Sequence, residues 1–394
     1  MAQAHATIEP PRRLLMGPGP STVEPRVYEA MTKPVVGHLD PFFFQVMEEV
    51  RTGLAHVFGT KNEFNLAISG TGSAGMETAV SNFVEPGMKL AIFANGYFCD
   101  RQAEMGKRQG AAVVRLEKPW GETFSAEEAR EFIRREKPNV VAYVQAETST
   151  GAFQEGKAIC EAAHEAGALV IADCVTSLGA MPVDVDATGI DIAYSCSQKG
   201  LSAPPGLAPV TVGPRAMDYL RSRKTPNRSW YLDLALLAEY YGNSHRYHHT
   251  APISMFYALR EALAIVREEG LQGRFARHQR NHLALVAGLE AMGLKMHVAE
   301  GRRLWSLNTP RVPEGIMDTK VRKRLLDNDG IEILGGFGPL AGKVLRIGLM
   351  GAGSTRENVL TVLGALEKAL RAEGYTPAAE GRKAAEECYA GHQG

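Results

Sequence analysis

The chain holds 394 residues, 45% hydrophobic and 22% charged, a globular composition that excludes the disordered, collagenous and coiled-coil classes. Its 44 Lys and Arg balance 44 Asp and Glu, so the formal net charge is zero and a polyanion such as nucleic acid is not the expected partner. A chain this long outgrows one core, so two domains are expected.

The cysteines Cys99, Cys160, Cys174, Cys196 and Cys388 form no C-x-x-C pair, which argues against a disulfide framework or a zinc ribbon. The N-terminus lacks a secretory apolar core and no later apolar run reaches membrane-span length. The final Gly391-His392-Gln393-Gly394 carries no peroxisomal or lipidation signal, and a cytoplasmic protein is expected.

Short apolar runs without alternation, at 64–68, 89–94, 139–144, 168–172 and 190–194, predict strands buried on both faces. Helical periodicity separates them at 76–84, 125–136 and 158–166; the second opens with the capping box Ser125-x-x-Glu128. The βαβαβα order predicts an α/β fold with a mostly parallel sheet and helices on both faces. A long amphipathic helix over 255–269 and isolated strands at 304–308 and 344–347 mark a second domain. The expected division is an arm at 1–20, a large domain at 21–265, a smaller C-terminal α/β domain at 266–370 and a frayed polar tail at 371–394.

Ligands of open α/β sheets bind beyond the carboxyl ends of the strands, which directs attention to the residues following each one. The first strand is followed by Ser69-Gly70-Thr71-Gly72-Ser73-Ala74-Gly75 and a helix. That is a G-x-G-x-x-G match, yet the next strand ends in Asn95 where a dinucleotide site needs an acid. A phosphate nest at a helix N-terminus and a plain tight turn both remain open for it. The other strands lead into Asn95-Gly96-Tyr97-Phe98, Glu147-Thr148-Ser149-Thr150-Gly151, Asp173 and Ser197-Gln198-Lys199.

Asp173 closes an apolar run, where a carboxylate calls for a cation or several donors; an Asx turn into Val175-Thr176-Ser177 is the structural alternative. Lys199 precedes the turn-rich Gly200-Leu201-Ser202-Ala203-Pro204-Pro205-Gly206, and desolvation there would favour a nucleophilic amine over an ordinary solvated lysine. Arg346 sits in the apolar run Val-Leu-Arg-Ile-Gly-Leu, either as a structural ion pair or as a bidentate anchor for a carboxylate. His245, His248 and His249 lack a nearby acid or thiol to complete a metal set, and no metal is expected. Cys174 and Cys196 lie in apolar strand ends and read as packing residues.

A lysine, a buried acid, a phosphate nest and an aromatic ring together suit pyridoxal 5′-phosphate. Over roughly residues 14–370 the sequence resembles the class V, fold-type I pyridoxal phosphate-dependent aminotransferases, and within them the alanine-glyoxylate and serine-pyruvate group. The motifs carrying it are Gly17-Pro18-Gly19-Pro20-Ser21, Ser195-Cys196-Ser197-Gln198-Lys199, Tyr247-His248-His249-Thr250 and Leu345-Arg346-Ile347-Gly348. The resemblance implies that Lys199 carries the cofactor aldehyde and then moves the proton, while Asp173 holds the pyridine nitrogen protonated. It implies phosphate contacts from Thr71, Gly72, Ser73 and Gln198, and ring contacts from Phe98, which stands where Trp is frequent, and from Val175. Ser149 is implied near the cofactor's phenolic oxygen and the substrate carboxylate, Arg346 as the carboxylate anchor, and Gly19 in a segment closing over the substrate. Tyr247 and Thr250 are implied to reach the phosphate of a neighbouring subunit, making a homodimer. Transamination between alanine or serine and glyoxylate or pyruvate follows. The alternatives are another class V transferase of phosphonate or phosphoserine type, a nicotinamide-dependent dehydrogenase and a silent scaffold. A cysteine desulfurase is disfavoured by the Cys-free loop at 335–342.

Overall fold

The computed structural model describes residues 8–242 and 244–391; the first seven residues of the expected arm and the last three of the expected tail lie outside them. A seven-stranded sheet is built from β1 (Phe64–Ser69), β2 (Lys89–Ala94), β3 (Ala112–Glu117), β4 (Val140–Val144), β5 (Leu169–Asp173), β6 (Ile192–Tyr194) and β7 (Leu207–Val212), in the order β1-β7-β6-β5-β4-β2-β3. All neighbours are parallel except β7, which is antiparallel to both β1 and β6.

Alternate residues of each strand feed two cores, as a sheet covered on both faces requires. Leu90 and Ile92 of β2 pack on one side, with Met76 and Val80 of the helix α2 (Gly72–Phe83). Ala91 and Phe93 pack on the other, with Leu54 of α1 (Pro41–Phe58) and Phe132 of α4 (Ala126–Glu136). Between α2 and α4 runs α3 (Tyr97–Gln109). The capping box at Ser125 is formed in both directions, Glu128 N to Ser125 Oγ at 3.2 Å and Ser125 N to Glu128 Oε2 at 2.7 Å.

The antiparallel β7 matters for placement. β6 runs toward the same sheet edge at which β1 ends, and β7 starts from that edge with Leu207 opposite Ser69. The residues between β6 and β7, Lys199 among them, are therefore confined to the edge where β1 and β5 also end.

Helix α5 (Ile253–Glu269) belongs with the first cores through Phe256, Leu259 and Leu263. Helix α6 (Leu271–Ala291) then carries the chain to a third core, which Ala284 and Leu289 share with α7 (Arg356–Ala372). A small sheet of order β8-β10-β9 lies there: β8 (Leu307–Asn308), β9 (Leu334–Gly335) and β10 (Leu345–Gly348), all antiparallel. The N-terminal Leu14 and Leu15 pair in parallel with Ile331 and Glu332, and Met16 is buried in this same third core.

The expectation of a frayed tail is corrected. Residues 381–391 form a helix, α8 (Gly381–Gly391), with Ala385 and Tyr389 buried in the third core. No helix among the described residues is long and apolar enough to cross a membrane.

Candidate active site

The strand ends converge on a cavity of about 230 Å³. Its lining brings together Thr71, Gly72, Ser73, Phe98, Asp173, Val175, Gln198 and Lys199 of the residues singled out by sequence, and adds Met76, Arg101, Thr148 and Cys196.

Asp173 ends β5 and is 2% exposed. Burial holds its carboxyl up to about 6, against hydrogen bonds that favour the anion. Oδ1 accepts from Val175 N at 2.9 Å, which is the Asx turn, and Oδ2 accepts from Tyr194 Oη at 2.8 Å. Tyr194 in turn accepts from Gln102 Nε2 at 3.0 Å. The expected cation is not bound directly: among the described residues no Lys or Arg forms an ion pair with Asp173. Burial lowers the pKa of Lys199, and its Nζ donates to the Pro18 carbonyl oxygen.

Helix α2 starts at Gly72, with Thr71 as its extended N-cap residue, so its first amides have no side-chain cap where Thr71, Gly72 and Ser73 line the cavity. A Cβ on Gly72 would stand 3.1 Å from Cys196 Cβ and 3.5 Å from Val175 Cγ2, so glycine keeps this end of the cavity open. Gln198 contributes a buried amide oxygen without a hydrogen-bond partner.

Ser149 stands beside the cavity lining. It is fully buried, its Oγ donating to Glu147 Oε1 at 2.6 Å and accepting from Tyr97 N at 3.0 Å, and the neighbouring Thr148 lines the cavity. Glu147, whose sequence context marks it only as part of the loop after β4, ties the wall together. Its Oε1 also accepts from Ser149 N at 2.9 Å and its Oε2 from Phe98 N at 3.1 Å, so a remote carboxylate caps the start of α3 beneath the Phe98 ring. Burial pushes Glu147 up to about 7.

Arg346, on β10, is 6% exposed and has no carboxylate within ion-pair distance among the described residues. Its Nε donates to Gly335 O at 2.8 Å and its Nη1 to Thr148 O at 3.3 Å, and its guanidinium lies 4.4 Å from the Phe337 ring centroid. Burial brings it down to about 10.

The segment at 16–21 joins Arg346 to Lys199. Gly348 N, two residues past Arg346, donates to Met16 O at 2.7 Å, and Ser21 N and Oγ donate to Gln198 O and Lys199 O at 2.9 and 2.8 Å. Gly19, at φ +114°, passes so close that a Cβ would overlap Lys199 Nζ. Tyr247 and Thr250 are exposed and outside the cavity of their own chain, although His249 Nε2 lies 2.6 Å from Ser69 Oγ at the end of β1.

The sheet topology, with a buried acid and a desolvated lysine in one cavity at its strand ends, is shared with the fold-type I aminotransferases. The class-V aminotransferase family pattern matches residues 20–360, and the chain belongs to that family and is an aminotransferase. It is 39% identical over 365 residues to the alanine–glyoxylate aminotransferase of Felis catus, covering 92% of this chain and 88% of that one. It is 40% identical over 378 residues to the (S)-ureidoglycine–glyoxylate transaminase of Bacillus subtilis, covering 91% of each. The crystal structure of an alanine–glyoxylate aminotransferase from Nostoc sp. superposes with a TM-score of 0.92 at 47% identity, over 93% of this chain and 98% of that one. The family is in general pyridoxal phosphate-dependent.

Proposed function

We propose that this chain transfers an amino group from a small amino acid, alanine or serine, to a small 2-oxo acid, glyoxylate or pyruvate, by a ping-pong exchange on pyridoxal 5′-phosphate. The observation that carries the reading is the placement of Lys199 and Asp173 in the lining of one cavity. The rest of the donor set fits the group. The α2 amides with Thr71 and Ser73 suit a phosphate, the partnerless amide of Gln198 can turn its N–H toward it, and Phe98 and Val175 suit the faces of a flat ring.

When bound, the cofactor supplies an electron sink for the pair left at the substrate's Cα. The chain supplies the rest. Lys199 Nζ would hold the cofactor's aldehyde carbon and, when free, would move the proton away from the substrate's Cα, a role that the lowering of its pKa by burial favours. Asp173 keeps a proton on the ring nitrogen, and Tyr194 keeps Asp173 oriented. Arg346 takes the α-carboxylate common to donor and acceptor in two parallel hydrogen bonds, with Gly335 O and Thr148 O setting the plane of its fork. Gly19 lets the 16–21 segment close over both. Tyr247, 56% exposed in the single chain, and Thr250 reach the phosphate of a neighbouring copy, so that a homodimer shares two sites.

Glyoxylate as acceptor is favoured by the names that the similar proteins share, although their donors differ. The test is spectroscopic. The purified protein is expected to be yellow, to lose its visible band with alanine alone and to regain it with glyoxylate. A colourless protein, or a band retained in Lys199→Ala, would overturn the reading.

A further inference from the structure

Arg101 lies one helical turn beyond Phe98 on α3 and takes no part in the chemistry proposed above. It lines the cavity beside Ser73, and its Nη1 donates to Ser73 Oγ at 2.9 Å. Its guanidinium stands 5.1 Å from the Phe98 ring centroid and 5.3 Å from that of Tyr97, so two aromatic rings hold it on the wall. Among the described residues no carboxylate forms an ion pair with it and no other protein acceptor takes its remaining N–H groups. An arginine offered to a cavity, set against two neutral rings and hydrogen-bonded only to a hydroxyl, keeps its charge for an anion.

The nest beside it supplies the anion's other contacts but little charge. Helix-start amides, Thr71, Ser73 and Gln198 are neutral donors, whereas a phosphate monoester carries about −1.5 to −2 at neutral pH. A full cation within reach of Ser73 meets that need.

We propose that Arg101 is a cofactor-binding residue which, with Ser73, recognises the phosphate group of the bound cofactor. The inference rests on the pyridoxal phosphate reading above and extends it to a residue that neither the motif nor the Gly-rich turn contains. A rival role is available on the same geometry: Arg101 could act through the Phe98 ring or through its field on Asp173, neither of which distinguishes a phosphorylated ligand from its dephosphorylated form.

The experiment exploits that difference. Cofactor-free wild-type, Arg101→Gln and Arg101→Lys proteins are titrated with pyridoxal 5′-phosphate and with pyridoxal, following absorbance. Loss of a charge-assisted contact predicts that Arg101→Gln raises the Kd for pyridoxal phosphate by roughly ten- to a hundredfold and leaves that for pyridoxal within about twofold. Arg101→Lys, which keeps the charge and loses the fork, is expected between the two, and inorganic phosphate is expected to compete with the cofactor less well in the Gln variant. An equal loss for both ligands, or none for either, overturns the proposal and leaves the cofactor reading intact. Wild-type protein that binds neither ligand removes that reading and the proposal with it.

Discussion

Asp173 and Tyr194 are register partners on the adjacent parallel strands β5 and β6, and the tyrosine hydroxyl spans the gap to Oδ2 at 2.8 Å. This pairing gives the acid a fixed direction in a site where burial works against its charge. A ring nitrogen needs Asp173 ionised, and its carboxyl titrates near 6 before any ligand arrives. Affinity of the cofactor-free protein for pyridoxal phosphate is therefore expected to weaken as pH falls through about 6. Tyr194→Phe removes a donor to the anion and is expected to raise that break by roughly half to one pH unit. Asp173→Asn should abolish the break; titrations from pH 5 to 8 that look the same in all three proteins would dismiss the assignment.

Glu147 offers a second pH effect, on stability. Burial raises its folded pKa from 4.5 to about 7, so between these values the native state keeps a proton that the unfolded chain releases. The linked stabilisation is full below about 4.5 and is lost as pH rises through about 7. Urea unfolding of the cofactor-free protein at pH 5 and pH 8 reads it. Glu147→Gln, which does not titrate, is expected to reduce the difference between the two pH values by on the order of 3 kcal/mol. His278 and His282, held near 3 and 4, pull stability the opposite way in both proteins and cancel in the comparison. An unchanged difference would show that Glu147 is ionised in the native wall.

Arg346 is held by two carbonyls and one aromatic face rather than by an acid, so its charge is left for a ligand. Arg346→Ala is expected to raise KM for both amino donor and 2-oxo acceptor, lowering kcat/KM by roughly a hundredfold, while the visible band of the cofactor persists. A rise for only one substrate would confine its role to that half-reaction, and an unchanged KM for both would remove the role.

How far the sequence carried the reading depends on where the signal was local. The run at 89–94 coincides with β2 because an unbroken apolar stretch ends abruptly in Asn95-Gly96. Strand β7 gives no such signal: Leu-Ala-Pro-Val-Thr-Val contains Pro209, which argues against an interior strand, yet Pro209 sits opposite Ala67 between two neighbours. Edge strand β3 is partly exposed and contains Arg115, which breaks its apolar run. In the site, loop tips after strands are legible because topology sends them to one edge. Choosing between Thr148 and Ser149 is not, since two adjacent hydroxyls differ only in which way the turn points them. Arg101 did carry a signal, its three-residue spacing from Phe98 placing both on one helix face.

The C-terminal helix was hidden for a similar reason. Its buried stripe is Gly381, Ala385 and Tyr389, an i, i+4, i+8 pattern in which two of three residues are too small to register as hydrophobic. Smallness is what the packing requires, because Gly381 and Gly288 of α6 approach so closely that a Cβ on either would stand under 3 Å from the other's carbonyl oxygen. Tyr389 completes the contact, its Oη donating to Asn281 Oδ1 at 2.7 Å and its ring lying 5.3 Å from the Arg356 guanidinium. Tyr389→Phe removes one hydrogen bond and is expected to lower stability by about 1 kcal/mol, whereas Tyr389→Ala also empties a buried aromatic site and is expected to lose about 3 kcal/mol. Both belong to the third core and not to the cavity, so kcat below the unfolding transition should stay close to wild type. A loss under about 0.5 kcal/mol for the alanine variant in urea unfolding would mean that this helix adds nothing to the core it covers.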